Sequence, residues 1–106
     1  MFSIVTTCHN MNGISIKNPT PEQACFLKGL VCCNRSDTAE YRVSKAAGAF
    51  LQGFYKDYVL IEFWSRPEHH QQFVDYCNEE FPKFLESLPE KPHIMEMFFY
   101  YNPEFK

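Results

Sequence analysis

The chain has 106 residues, 45% of them hydrophobic and 17% aromatic, and a formal net charge of −3. At that length roughly two-thirds of the unfolded surface can be buried, so residues 1–106 are expected to form a single domain with its own core. The mild acidity and the lack of any Lys/Arg cluster argue against a surface built for phosphate backbones or anionic membranes.

The opening MFSIVTTCHN carries no basic region and no long apolar run, so no signal peptide is expected and the chain is assigned to the cytoplasm. No stretch reaches the roughly 20 apolar residues that span a bilayer. Residues 2–8 are β-branched and apolar with partial alternation, which predicts a strand. Asn12-Gly13 then marks a turn, and residues 9–19 are expected to be an irregular connection. Thr20-Pro21-Glu22-Gln23 is a helix start, with Thr20 as cap and Gln23 closing a capping box. That helix should run from Pro21 to about Cys33, with Ala24, Phe26, Leu27, Leu30, Val31 and Cys33 on its apolar stripe.

Over residues 39–56, Ala and Lys favour a helix. Tyr41, Val43 and the glycines at 48 and 53 instead fit strand and bulge positions, and a long, interrupted strand is the assignment. Lys56-Asp57 breaks it, and YVLIEFW follows as the strongest strand in the chain. Val59, Ile61 and Phe63 make its wholly apolar face. Tyr58, Leu60, Glu62 and Trp64 make the other, with one carboxylate at its centre. Ser65-Arg66-Pro67-Glu68 reads as a second capping box, opening a helix whose apolar positions continue to Leu88. Pro82 should break or kink it near Phe81. His93 to Tyr101 reads as a last strand.

This order predicts an α+β, ferredoxin-like βαββαβ domain, a four-stranded antiparallel sheet with two helices on one face. The other face would expose Tyr58, Leu60 and Trp64 together, a larger apolar patch than a monomer usually leaves bare. A homodimer formed through that face is the expected partner, since closed two-fold pairs are the commonest oligomers. The first functional reading is therefore an interaction or regulatory module that self-associates through its sheet.

Two resemblances add alternatives. Lys56–Phe63, KDYVLIEF, looks like the central strand of the RNA recognition motif family, which would make Tyr58 a base-stacking residue. Leu60 stands where a second aromatic is expected, Asp57 replaces a glycine, and FSIVTT lacks the partner motif's glycine and asparagine. With the acidic charge, RNA binding ranks last. VLIEFW, from Val59 to Trp64 and followed by His69 and His70, resembles the dimeric α/β-barrel group that includes small monooxygenases acting on aromatic compounds. That resemblance implies a pocket for a small aromatic ligand in which Trp64 and one histidine take part.

The candidate catalytic residues are Glu62, His69 and His70. Either histidine qualifies as a general base by residue type, since an unperturbed imidazole titrates near neutrality. Adjacent helical residues point about 100° apart, so His69 and His70 do not share one metal. Tyr58, Leu60, Trp64 and His93 are the candidate ligand or interface residues. Cys8-His9, Cys32-Cys33, His70, Cys77 and His93 lack chelating spacing, and no metal site is expected. The five cysteines read as reduced thiols. No phosphate-cradling loop or nucleophile elbow occurs, and no cofactor is expected.

Overall fold

A computed structural model describes residues 1–31, 37–54 and 57–88. They form strands β1 (Val5–Thr6) and β2 (Asn12–Lys17), helices α1 (Pro21–Val31) and α2 (Ala39–Ala47), strands β3 (Ala49–Phe54) and β4 (Tyr58–Phe63), and helix α3 (Pro67–Ser87). The sheet is four-stranded in the order β1-β2-β4-β3, with each neighbouring pair antiparallel. The class is α+β.

The strand order differs from the ferredoxin-like expectation. β2 and β3 run the same way on either side of β4, a split βαβ arrangement whose connection carries two helices, α1 and α2. β1 then folds back as a hairpin on the free edge of β2, with Val5 opposite Gly13 and Thr6 opposite Asn12. Residues 12–17, expected to be irregular, are thus an inner strand. The alternation of Ile14 and Ile16 is what qualifies them, since those side chains face Ile61 and Val59 across the pair. The predicted strand from His93 to Tyr101 lies outside the described residues.

The segment 39–47 is a helix, not the first half of a long strand. Its caps decide it. The Thr38 hydroxyl accepts from the Tyr41 amide at 3.2 Å, and Gly48 adopts φ 65°, closing the last turn. Both devices satisfy backbone groups that a helix end otherwise leaves unpaired. The β-branched and aromatic residues Val43 and Tyr41 are absorbed because Ala47 and Ser44 bury on the same helix. Gly53 keeps the role assigned to it, at the irregularity between Leu51 and Gly53 in the β3–β4 register.

The core lies between the sheet and the helices. Val59, Ile61 and Phe63 of β4 and Ile14 of β2 meet Ala24, Leu27 and Leu30 of α1, Ala47 of α2, and Phe73, Val74 and Cys77 of α3. The capping box of α1 is present, with Thr20 N–H donating to Gln23 Oε1 at 2.9 Å and Gln23 N–H returning to Thr20 Oγ1 at 3.1 Å. The one expected at α3 is not. Arg66 is its N-cap without a side-chain bond, while the Ser65 hydroxyl donates back to the carbonyl of Ala47 and ties α3 to the end of α2.

α3 also continues through Pro82 without a break. Proline withholds one helical hydrogen bond. The ring sits exposed on the outer side, while Phe81 and Phe84 pack with Phe26 and Phe2 at centroid separations of 5.3 to 5.4 Å. That aromatic cluster holds the two sides of the proline in line. The N-terminus is clamped to the same helix, since Asn78 accepts from Phe2 N–H at 2.7 Å and donates to Phe2 C=O at 3.0 Å.

Candidate functional site

The outer face of β4 was expected to be open and apolar. Leu60 is only 3% exposed and Glu62 is 0% exposed, so the centre of that face is closed. Trp64, just beyond the strand, is 66% exposed. It stacks on Phe50 at 4.0 Å with the planes 26° apart. Phe50 lies directly opposite Glu62 in the β3–β4 register, and Gly13 lies opposite it on β2.

Gly13 is what allows a charged group to be buried at that point. A Cβ built there would lie 2.0 Å from the Ile61 carbonyl oxygen and 2.8 Å from Thr7 Cγ2. The space a side chain would fill is taken by the backbone of β4 and by Thr7 of the loop between β1 and β2. In that loop the Thr7 amide donates to Met11 C=O at 2.7 Å, and the Asn10 amide to Thr7 C=O at 3.0 Å. Asn10 itself adopts φ 58°, a left-handed conformation that asparagine tolerates better than most residues.

Two side chains of the loop reach Glu62. The Thr7 hydroxyl donates to Glu62 Oε2, while accepting from the amides of His9 at 3.4 Å and Met11 at 3.3 Å. His9 Nδ1 meets Glu62 Oε1 at 2.8 Å. Taken as a carboxylate, Glu62 only accepts, which assigns the hydrogen to Nδ1 and leaves the Nε2 lone pair outward. The His9 side chain is 53% exposed, and no described residue bonds Nε2. Among the described residues no Lys or Arg pairs with Glu62, so a half-exposed imidazole is the one group there able to carry balancing positive charge.

A groove of about 460 Å³ lies on the same face, over Leu60 and Tyr58 of β4 and Ser15 and Lys17 of β2. Cys8, the neighbour of His9, lines it together with Leu60, Tyr58, Lys17 and Asp57. The outer face therefore carries three features in sequence: the groove, the Glu62–His9 pair, and the Phe50–Trp64 stack.

Of the residues singled out from the sequence, Glu62, Tyr58, Leu60 and Trp64 share this face. His69 and His70 do not. His70 is 4% exposed and stacks on Phe63 at 4.7 Å, and Phe63 points into the helical side of the sheet. The sheet separates that ring from Glu62. His70 Nε2 and His69 Nδ1 are buried without a hydrogen-bond partner among the described residues. His93 lies outside the described residues.

The chain matches no family model, no curated protein and no solved structure.

Thr7 and His9 are the members that sequence reasoning did not reach. His9 drew attention only beside Cys8 as a metal-ligand pair, and no grouping of three or more His, Cys, Asp or Glu side chains suited to a metal occurs among the described residues. The thiols of Cys77, buried, and Cys25, half-buried, are poor nucleophiles. Burial pushes Cys77 up to about 12, and burial together with Glu22 pushes Cys25 up to about 11. The phenol of Tyr76 is held near 12, first by burial and then by Glu40 and Glu80. None of these groups ionises near neutrality. Among the described residues no helix is long and apolar enough to cross a membrane.

Proposed function

We propose that this chain binds small aromatic compounds on the outer face of its sheet, with the Glu62–His9 pair as the polar centre of the site. One observation carries the reading: a wholly buried carboxylate on an outward row, bonded by Thr7 and His9. A purely structural sheet face gains nothing from burying a charge there, because desolvating a carboxylate costs several kcal/mol unless partners repay it. Tyr58 and Leu60 on one side and the Phe50–Trp64 stack on the other supply the apolar contacts that sites for such ligands use. The test is a titration with phenylacetate and phenylethylamine, followed by backbone amide shifts. Shifts concentrated on residues 7–11, Tyr58 and Glu62 support the reading. Shifts absent, or confined to the helices, end it.

A second reading, self-association through the same face, is supported by the exposed tryptophan. Trp64 is 66% exposed and presents the kind of large, rigid ring that anchors protein contacts. Leu60 does not serve to test it, because it is buried and its replacement would damage the fold. A Trp64→Ala variant that sediments as a monomer, where the parent sediments as a dimer, supports self-association. A parent that is monomeric at micromolar concentration removes it. RNA binding keeps only Tyr58 in its favour, and the net charge of −3 weighs against it.

A further inference from the structure

We infer that His9 is a general base that moves a proton on a bound carbon acid, with an enolisable aryl 2-oxo acid as the class of substrate; this rests on the ligand-binding reading above. The geometry is that of a carboxylate–imidazole pair. Glu62 is fixed in place by Thr7 and by its 0% exposure, and it holds the Nδ1 side of the ring at 2.8 Å. An imidazole held at one nitrogen presents the other in a set direction, which is what proton transfer needs from a base. The half-exposed ring is the sequence neighbour of Cys8, which lines the groove. The positive charge that His9 gains on taking a proton is met by a buried carboxylate whose other described partner, the Thr7 hydroxyl, is neutral.

The substrate class follows from the flanking groups. Tyr58 and Leu60 in the groove and the Phe50–Trp64 stack are the apolar surfaces on this face for an aromatic ring. The Lys17 ammonium lines the groove and makes no ion pair among the described residues, which suits a carboxylate on the ligand. Asp57 lines the same groove and would favour an amine instead, which is why the binding test includes both charges.

The step balances without a cofactor. The His9 Nε2 lone pair takes the proton from the carbon beside the ketone. The C–H electron pair becomes a carbon–carbon double bond, and the carbonyl π pair moves to oxygen. The imidazolium then returns the proton to that oxygen, giving the enol, or exchanges it with solvent. His9 is the catalytic residue, and Glu62 and Thr7 are positioning residues.

The experiment measures deuterium incorporation at the benzylic carbon of phenylpyruvate in D₂O, with binding of the same compound followed by amide shifts. The expected result is exchange above the buffer rate, lowered about 10²-fold in His9→Ala and in His9→Gln. Glu62→Gln should lower kcat with KM little changed, because a positioning residue acts on the base and not on the ligand. Binding without exchange above buffer overturns the inference and leaves the binding reading standing. Absence of binding overturns both. Exchange that survives in both His9 variants assigns the base elsewhere and overturns the inference.

Discussion

Glu62 and Gly13 sit directly opposite each other on neighbouring strands, and the missing side chain of one makes room for the partners of the other. Thr7 reaches Glu62 through the gap that Gly13 leaves, and Thr7 in turn gathers the loop that carries His9. The polar centre of the outer face is thus built from an absence in β2 as much as from the carboxylate in β4.

Gly13→Ala should therefore cost far more than a glycine-to-alanine change in an ordinary strand. The added Cβ would lie 2.0 Å from the Ile61 backbone oxygen, which no side-chain rotation relieves. We expect a loss of about 2–3 kcal/mol, the range of an overpacked core site, read from urea denaturation. A variant as stable as the parent would contradict the close approach of β2 and β4 at Gly13.

The Glu62–His9 bond should appear as coupling. In a double-mutant cycle built from Glu62→Gln and His9→Ala, the interaction energy should be about 1 kcal/mol in favour of the pair. Simple additivity, within about 0.3 kcal/mol, would mean that the two groups meet only incidentally.

Gly48 ends α2 in a left-handed conformation at φ 65°, and a Cβ there would lie 2.8 Å from Ser65 Cβ. Gly48→Ala should cost about 1–2 kcal/mol from backbone conformation alone. It should also weaken the Ser65–Ala47 tie that joins α2 to the start of α3. Thermal denaturation of the variant checks this, and an unchanged midpoint would contradict the cap.

Stability should fall on the alkaline side. The folded chain holds the protons of Cys25 to about 11 and of Cys77 to about 12, against an ordinary 9.0, and that of Tyr76 to about 12 against 10.0. The unfolded chain releases them earlier, so it binds fewer protons there, and stability declines as pH rises through that window. The contribution is fully present below about pH 9. Urea midpoints should drop as pH rises from about 9 toward 11, and Cys77→Val should flatten part of the slope. A flat profile in the parent would place these groups nearer to solvent.

The two faces of β4 were legible from alternation, because a strand's period of two fixes which residues share a side. Val59, Ile61 and Phe63 face the helices, and Glu62 stands on the outer row with Leu60. What alternation does not give is what lies on top of a face. The pairing of His9 with Glu62 spans 53 residues of chain, and nothing local to the HNMNG segment announces it. The helix at 39–47 was hidden differently. Tyr41 and Val43 drew the reading toward a strand, while the deciding signals, Thr38 and Gly48, were single residues at its ends. Pro82 misled in the opposite direction, since an aromatic cluster several residues wide outweighed one lost hydrogen bond. His69 and His70 were attractive as imidazoles, but a residue type says nothing of which side of the sheet its helix covers.

The central claim is that the outer face, and not the helical side, receives a small aromatic ligand. Trp64 is the only tryptophan in the chain and stacks on Phe50 beside Glu62, so its emission reports on that face directly. Titration with phenylacetate should give a saturable change in Trp64 emission, weakened at least tenfold in Tyr58→Ala and in Lys17→Met. An emission that does not saturate, or that saturates identically in both variants, would contradict the account.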